Sequence, residues 1–235
     1  MAVNTLWTKM LPYYCILLLL CIAIVKLSNH AATVIVEHSP IDERTCIAID
    51  AGHGGIDGGA VSVSGIRESQ INLEIANRLD DLLHLLGYRT LMLRTTDTSL
   101  HTDGDTISAQ KISDLKQRVK KVAESDTSLL ISIHQNTFSD SRYSGAQVFY
   151  HYDDESFELA GYLQNNLIGT LNPGSNRKPK AAKGIYLMEH VNCPALLVEC
   201  GFLTNAEEET RLRNPAYQKY LSAVIAATVS ARLQS

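Results

Sequence analysis

Apolar and polar stretches alternate along the chain from residue 45 onward, and their lengths predict which secondary structure each one forms. Short apolar runs predict strands, and longer stretches whose apolar residues recur every three or four positions predict helices. The predicted strands cover residues 45–50, 90–94, 129–133, 146–150 and 195–198, and the predicted helices cover residues 69–86, 113–125, 157–171 and 215–233. Strands that alternate with helices in this way predict an α/β domain.

Two polar segments interrupt this alternation. Residues 95–106 follow the second predicted strand and form a loop that is long enough to border a binding site. Residues 172–184 contain two prolines, two glycines and four positive charges, so they predict another loop rather than a buried element.

The N-terminus has a different pattern, because sixteen uncharged residues lie between Lys9 and Lys26. Such a run ahead of a polar segment is typical of export, so we interpret residues 1–26 as a membrane anchor or signal segment. An uncleaved anchor is favoured over a cleaved signal, because cleavage after Ala31 or Ala32 would place Asn29 or His30 at a position that prefers a small residue. A buried core helix is the alternative. Residues 27–44 then form a linker, and residues 45–235 form one globular domain.

Charge and cysteine content narrow the function classes. A net charge of −4 gives no basic surface for phosphate-rich partners, so nucleic acid is excluded as the expected partner. Two of the five cysteines fall in the apolar N-terminal run, and the others, Cys46, Cys193 and Cys200, lack the paired spacing of metal ligands. We therefore expect these three to be small buried side chains.

Chemically versatile residues follow three of the predicted strands. His53 lies in the glycine-rich loop AGHGGIDGGA after the first strand, His134 follows the strand LLISI, and Glu199 follows the strand ALLV. Ligands of open α/β sheets bind at this edge, beyond the carboxyl ends of the strands. The glycines beside His53 allow a sharp turn that aims the imidazole at a common site.

Two histidines and one carboxylate are the ligand set of a catalytic zinc ion that keeps one position open for water. Glu68 is the carboxylate that we select, because it lies just before the long helix and can reach back over the glycine loop. Glu74, deeper in that helix, is the competing choice. Glu199 is left as the general base beside a zinc-activated water.

Each of these residues alone has an ordinary structural interpretation. A histidine after a strand is commonly a hydrogen-bonded loop residue, Glu199 can cap a turn, and Glu68 can be a helix first-turn residue that the macrodipole favours. The glycine loop can also hold a phosphate group, but neither of the common phosphate-binding glycine motifs is present. The spacing therefore supports a zinc site only when the residues are taken together.

Four segments together, IDAGHGGIDGGAV, the downstream Glu68, ISIHQN and PALLVECGFLTNAEE, resemble the type 3 amidase family of zinc-dependent N-acetylmuramoyl-L-alanine amidases. The resemblance covers about residues 45–233. It implies that His53, Glu68 and His134 hold one zinc ion, that Glu199 is catalytic and that Asn136 contacts substrate. Arg118 matches a family arginine, whereas an asparagine that often follows it is absent.

The resemblance also implies a fold and a reaction. The family fold is a three-layer α/β/α sandwich around a twisted, mainly parallel sheet of about six strands. The reaction is hydrolysis of the amide bond between N-acetylmuramic acid and the L-alanine of peptidoglycan stem peptides. The anchor and the segment NRKPKAAKGIYLMEH resemble the spore-cortex amidases of the muramic-lactam pathway, which implies a sporulation role, with a general cell-separation amidase as the alternative.

Location and partners follow from the same resemblance. We expect the chain on the extracytoplasmic face of a bacterial membrane, anchored or secreted, with the space between forespore and mother cell as a specific site. Peptidoglycan, the membrane through residues 1–26 and an accessory regulatory protein are the expected partners. Two alternative functions stay open: a zinc peptidase or deacetylase acting on another wall bond, and a non-catalytic wall-binding module of the same fold.

Overall fold

A computed structural model of the chain describes residues 45–234, in which strands and helices alternate as predicted. The predicted anchor at residues 1–26 and linker at residues 27–44 lie outside the described residues. The strands are β1 (Cys46–Ala51), β2 (Arg89–Met92), β3 (Thr127–Asn136), β4 (Gln147–Tyr150), β5 (Lys180–Ala181) and β6 (Ala195–Phe202). The helices are α1 (Glu68–Leu85), α2 (Ile107–Ala123), α3 (Asp154–Leu171), α4 (Tyr186–His190), α5 (Ala206–Leu212) and α6 (Pro215–Leu233).

The six strands form one sheet in the order β2-β1-β3-β6-β4-β5. The first four strands in this order are parallel to one another, whereas β4 is antiparallel to β6 and parallel to β5. The sheet is therefore mainly parallel, and its carboxyl edge also receives the starts of the two reversed strands. This arrangement confirms the prediction of a mainly parallel sheet of about six strands.

Helices cover both faces of the sheet and make three layers. Helices α1 and α3 each pack against α6 on one face, and α2 and α4 pack together on the other. The central strands are buried along most of their length, as their continuous apolar runs predict. No helix within residues 45–234 is both long and apolar enough to cross a lipid bilayer.

Local sequence signals explain where the long helices begin and end. The side chains of Thr106, Asp153 and Asn214 accept hydrogen bonds from backbone N–H groups in the first turns of α2, α3 and α6. Gly87 follows α1 with a φ of 90°, and the N–H of Tyr88 bonds back to the carbonyl of Leu83. A glycine in this conformation closes the end of a helix without a Cβ clash.

Several boundaries differ from the prediction. Helix α2 begins six residues earlier than predicted, and strands β3 and β6 continue past residues 133 and 198. His134 and Glu199 consequently lie within strands rather than after them, because strand pairing continues through polar residues that pattern alone treats as an end. The short elements β5, α4 and α5 were not predicted, since two to seven residues are too few to show a periodicity.

Candidate metal centre

His53 lies two residues beyond β1 on a loop whose backbone is held from below by two buried arginines. Its φ of 62° is in the left-handed region, which is uncommon for a residue other than glycine. Arg118 donates to the carbonyl of His53 at 2.6 Å, and Arg94 donates to the carbonyls of Ala51 at 2.7 Å and Gly52 at 3.1 Å. These bonds fix the loop conformation that aims the imidazole of His53 over the sheet edge.

The structure brings together the three residues that were predicted as metal ligands. Donor atoms of His53, Glu68 and His134 all lie within 4.8 Å of one another. Nε2 of His53 lies 3.4 Å from one Glu68 oxygen, Nδ1 of His134 lies 3.1 Å from the other, and the two rings meet edge to face. The Glu68 carboxylate thus contacts both His53 and His134, which are 81 positions apart in the chain.

Backbone and amide groups hold the Glu68 carboxylate in place. Its oxygens accept hydrogen bonds from the backbone N–H of Ala60 at 2.9 Å, the backbone N–H of Gln135 at 3.0 Å and the side chain of Asn72 at 3.2 Å. Burial raises the pKa of Glu68, but the hydrogen bond and charge of His134 outweigh it and lower this pKa to about 2. Glu68 is therefore an oriented, ionised carboxylate, which is the form that binds a cation.

Two glycines leave the space that the cluster occupies. A Cβ placed on Gly52 would lie 2.2 Å from the ring of His134, and a Cβ placed on Gly59 would lie 2.6 Å from a Glu68 oxygen. Ligands about 2.1 Å from a common zinc ion are at most about 4.2 Å apart, so small side-chain rotations bring the observed spacing within range. The donors and the space around them fit a zinc ion.

A carboxylate that pattern reasoning missed contacts the far side of His53. Oδ2 of Asp57 lies 2.9 Å from Nδ1 of His53, and Oδ1 of Asp57 forms an ion pair with Lys111 at 2.8 Å. Burial raises the pKa of Asp57, whereas the contacts with Lys111 and His53 lower it, to about 2 overall. An acceptor at Nδ1 leaves Nε2 free to face a metal, as in carboxylate–histidine–zinc arrangements.

Arg118 belongs to a buried ionic cluster beneath the site. Its guanidinium group pairs with Asp50 and, at 2.6 Å, with Asp114, and it donates to the Ala51 and His53 carbonyls. Asp50 also accepts a hydrogen bond from Ser132 at 2.6 Å. Burial lowers the pKa of Arg118, but the two aspartates raise it above its ordinary value, so the cluster stays charged and fixed.

Glu199 lies opposite His134 on the neighbouring strand, where the two residues are paired in register. Its Oε2 is buried and has no hydrogen-bond partner among residues 45–234. Burial raises the pKa of Glu199, the charge of His134 lowers it and the charge of Glu68 raises it, and together they place this pKa at about 7. A buried carboxylate oxygen without a partner is costly unless another group binds it, so this oxygen is available to water or substrate.

The site opens into a cavity of about 410 Å³. Its walls combine His53, His134 and Glu199 with the charged residues of the buried cluster and with an apolar side formed by Leu115, Ile185, Tyr186, Leu187 and Leu197. Asn136 ends β3 two residues beyond His134 and is not among the residues that line the cavity, so its substrate contact stays a prediction.

The other candidate ligands of the sequence lie outside the cluster of His53, Glu68 and His134. Glu74, the competing ligand, accepts a hydrogen bond from Gln218 of α6 at 2.7 Å and lies outside the cluster. Cys46, Cys193 and Cys200 are buried and free, as expected for small buried side chains. The other four described histidines bond elsewhere: His84 to Thr90, His101 to Ser99, His151 to the Met188 carbonyl and His190 to the Tyr186 carbonyl.

Comparison with known proteins identifies the family. A family model described as N-acetylmuramoyl-L-alanine amidase matches residues 47–231, so the chain belongs to this family. It is accordingly a hydrolase with N-acetylmuramoyl-L-alanine amidase activity, which confirms the resemblance read from the sequence.

Individual relatives agree with this assignment. The germination-specific N-acetylmuramoyl-L-alanine amidase of Bacillus subtilis is 41% identical over 181 residues, which cover 76% of each chain. LytC of the same organism is 30% identical over 188 residues, but these cover only 35% of LytC. The structure is similar to that of the CwlD amidase from Clostridioides difficile in complex with the GerS lipoprotein, with a TM-score of 0.77, 35% identity, and coverage of 80% of this chain and 98% of that one.

Proposed function

We propose that the chain cleaves the bond between N-acetylmuramic acid and L-alanine with one zinc ion bound by His53, Glu68 and His134 and with Glu199 as general base. The observation that carries the proposal is the convergence of three donors from distant segments beside Glu199, whose buried Oε2 has no hydrogen-bond partner among residues 45–234. Two histidines and a carboxylate leave one position of a tetrahedral zinc ion open, which suits catalysis rather than a purely structural role.

Each protein group has a separate task in this proposal. The chemistry that a bound zinc ion supplies is polarisation of the scissile carbonyl and activation of a water molecule. Glu199 accepts a proton from the attacking water and donates it to the leaving nitrogen, so the amide breaks without a covalent enzyme intermediate. Asp57 and the Arg118 cluster hold His53 in its orientation, and the apolar wall of the cavity excludes bulk water from the reacting bond.

Two variants test the division of labour between metal binding and proton transfer. Glu199→Gln keeps the shape of the side chain but cannot accept the proton, so we expect a full complement of zinc and a loss of turnover of about 10²–10⁴-fold. His134→Ala removes a ligand, so we expect both zinc and turnover to be lost. Metal analysis of the purified proteins, run beside a peptidoglycan digestion assay, measures both quantities.

Full activity of the Glu199→Gln protein removes Glu199 from the mechanism. Mass spectrometry of the digest separates the two alternative functions from the amidase. New L-alanine amino termini and free lactyl carboxyl groups on muramic acid support the proposal, whereas a cut at another bond indicates the zinc peptidase or deacetylase. No cut by a zinc-loaded, folded protein indicates a wall-binding module.

The biological setting extends the proposal beyond the reaction. The relative with 41% identity is named as germination-specific, which supports a sporulation role, in the preparation of spore cortex, for this chain. Peptidoglycan as substrate requires an extracytoplasmic location, either anchored by residues 1–26 or secreted, and the space between forespore and mother cell meets that requirement. The similar CwlD amidase was solved with a lipoprotein, which supports an accessory protein as a partner.

A further inference from the structure

A second recess lies beside the start of β5, away from the metal-site cavity, and we call it the basic groove. It has a volume of about 460 Å³ and is lined by Tyr143, Gln147, Ser175 and Asn176 together with the positive run Arg177, Lys178 and Lys180. No acidic residue among residues 45–234 lines it. A concentration of positive charge in a chain whose net charge is −4 indicates a site for an anionic group.

The two lysines of the groove are available to a ligand. Both are exposed, and neither ammonium group has a hydrogen-bond or ion-pair partner within the part of the chain that the structure describes. Lys183 is also exposed and belongs to the same segment, but it does not line the groove. It therefore provides a matched position with the same charge and a different location.

Arg177, by contrast, is held in a fixed orientation at the rim of the groove. Its guanidinium group lies 5.0 Å from the centre of the Phe202 ring and donates to the Ser144 carbonyl at 3.1 Å and to Gln147 at 3.5 Å. A guanidinium group has five N–H donors, so further donors remain for a carboxylate. Tyr143, 47% exposed, lies 6.2 Å from Phe202 and extends this rim with an aromatic surface.

The register of the sheet gives the separation between the groove and the proposed general base. Gln147 on β4 is paired with Glu199 on β6, and the side chain of Gln147 donates to the carbonyl of Lys178 at 2.6 Å. Lys180 of the groove is paired with Phe149 of β4, and Phe149 is paired with Leu197 of β6, so the groove lies two strand spacings, about 10 Å, from the strand that carries Glu199. An extended peptide advances about 3.3 Å per residue, so about three residues reach from the scissile bond to the groove.

We propose that the basic groove binds the terminal carboxylate of a four-residue peptidoglycan stem peptide. This inference rests on the proposed amidase function, since the peptide must leave the scissile bond in the direction of β5. The chemistry matches: the groove supplies two free ammonium groups and a positioned guanidinium group, and stem peptides bear carboxylates. The groove selects the substrate and takes no part in bond cleavage.

A pair of substrates that differ in one charge tests the inference. The probes are an N-acetylmuramoyl tetrapeptide that ends in a free carboxylate and the same compound that ends in a carboxamide. We expect the unaltered protein to have a KM for the carboxamide about fivefold higher than for the carboxylate, since each partly exposed ion pair contributes modestly. In Lys178→Gln/Lys180→Gln, we expect this ratio to fall to near one, whereas Lys183→Gln retains it.

Equilibrium binding of the two free tetrapeptides, measured by calorimetry, repeats the comparison without catalysis. A protein that cleaves neither muramoyl peptide but still prefers the carboxylate tetrapeptide contradicts the proposed reaction and supports the groove. Equal affinities or equal KM values for both peptides in the unaltered protein overturn the groove proposal, and so does an equal loss of preference in Lys183→Gln. Loss of the preference at high salt supports an electrostatic contact.

Discussion

The metal-site cavity and the basic groove differ in how their charged side chains are held. At the metal site, Glu68, Asp57 and Arg118 are each fixed by at least two partners, and charges of both signs are present. In the groove, the charges have one sign and the two lysines are exposed. In the proposed function, a rigid network therefore positions the reacting groups, whereas exposed surface charge recognises a distant part of the substrate.

Substitution of Arg118 by methionine is the strongest test of the rigid network. It leaves Asp50 and Asp114 buried without their cation, so we expect the free energy of unfolding to fall by about 3–5 kcal/mol. Denaturant titration followed by circular dichroism measures the change. Arg142→Met is the control, because Arg142 pairs with Asp140 at the surface, and a change of similar size there contradicts the distinction between buried and exposed pairs.

Gly52→Ala tests the close approach on which the His134 ring depends. The added Cβ overlaps the ring, so we expect the ring to move and zinc binding to weaken by about 1–3 kcal/mol in free energy. Competition with a chelator of known affinity measures the loss. Gly161→Ala in α3 is the matched control, because a Cβ there meets no atom within 4 Å and alanine favours the helix. Unchanged zinc affinity in Gly52→Ala contradicts the proposed packing.

Asp57→Asn tests whether the Lys111–Asp57 ion pair orients His53. Loss of such a partner of a metal-binding histidine lowers metal affinity by about 10–100-fold, and we expect a loss in this range. Lys111→Met is expected to have a smaller effect, and the double variant is expected to resemble Asp57→Asn, because Lys111 acts through Asp57. Lys116→Met on the same helix is the control, and additive losses in the double variant indicate independent roles.

Lys178→Gln/Lys180→Gln is expected to have the smallest effect on stability. Both side chains are exposed, so the free energy of unfolding should change by less than about 0.5 kcal/mol. Thermal and denaturant unfolding measure this change. A large loss of stability shows that the groove is part of the structural network, and the contrast between the two regions then disappears.

The sequence predicted the cavity better than the groove, and the reason is physical. Strand β1 and its glycine loop place His53 by local chain geometry, and parallel pairing of β1, β3 and β6 brings His53, His134 and Glu199 to one edge. These relations follow from element order and from the rule for the carboxyl ends of strands. The fold class and the residues of the metal-site cluster could therefore be predicted from the chain alone.

Contacts that depend on side-chain reach could not be predicted in the same way. Lys111 lies on α2, 54 positions after Asp57, and no periodicity links the two residues. The contact between Asp57 and His53 could have been predicted, since Asp57 lies four residues after His53 in the same loop. The groove was missed for another reason: residues 172–184 were predicted only as a loop, and the two-residue strand β5 that shapes it depends on pairing with β4.

The reversed direction of β4 and β5 places the ends of some strands and the starts of others at one edge of the sheet. The parallel strands β1, β3 and β6 end there near His53, His134 and Glu199, whereas β4 and β5 begin there, after the connections at residues 137–146 and 172–179. We expect insertions in these two connections to alter the outer surface with little effect on the positions of His53, Glu68 and His134. If the basic groove binds the stem peptide, we expect changes in these connections to alter peptide preference while the reaction stays the same.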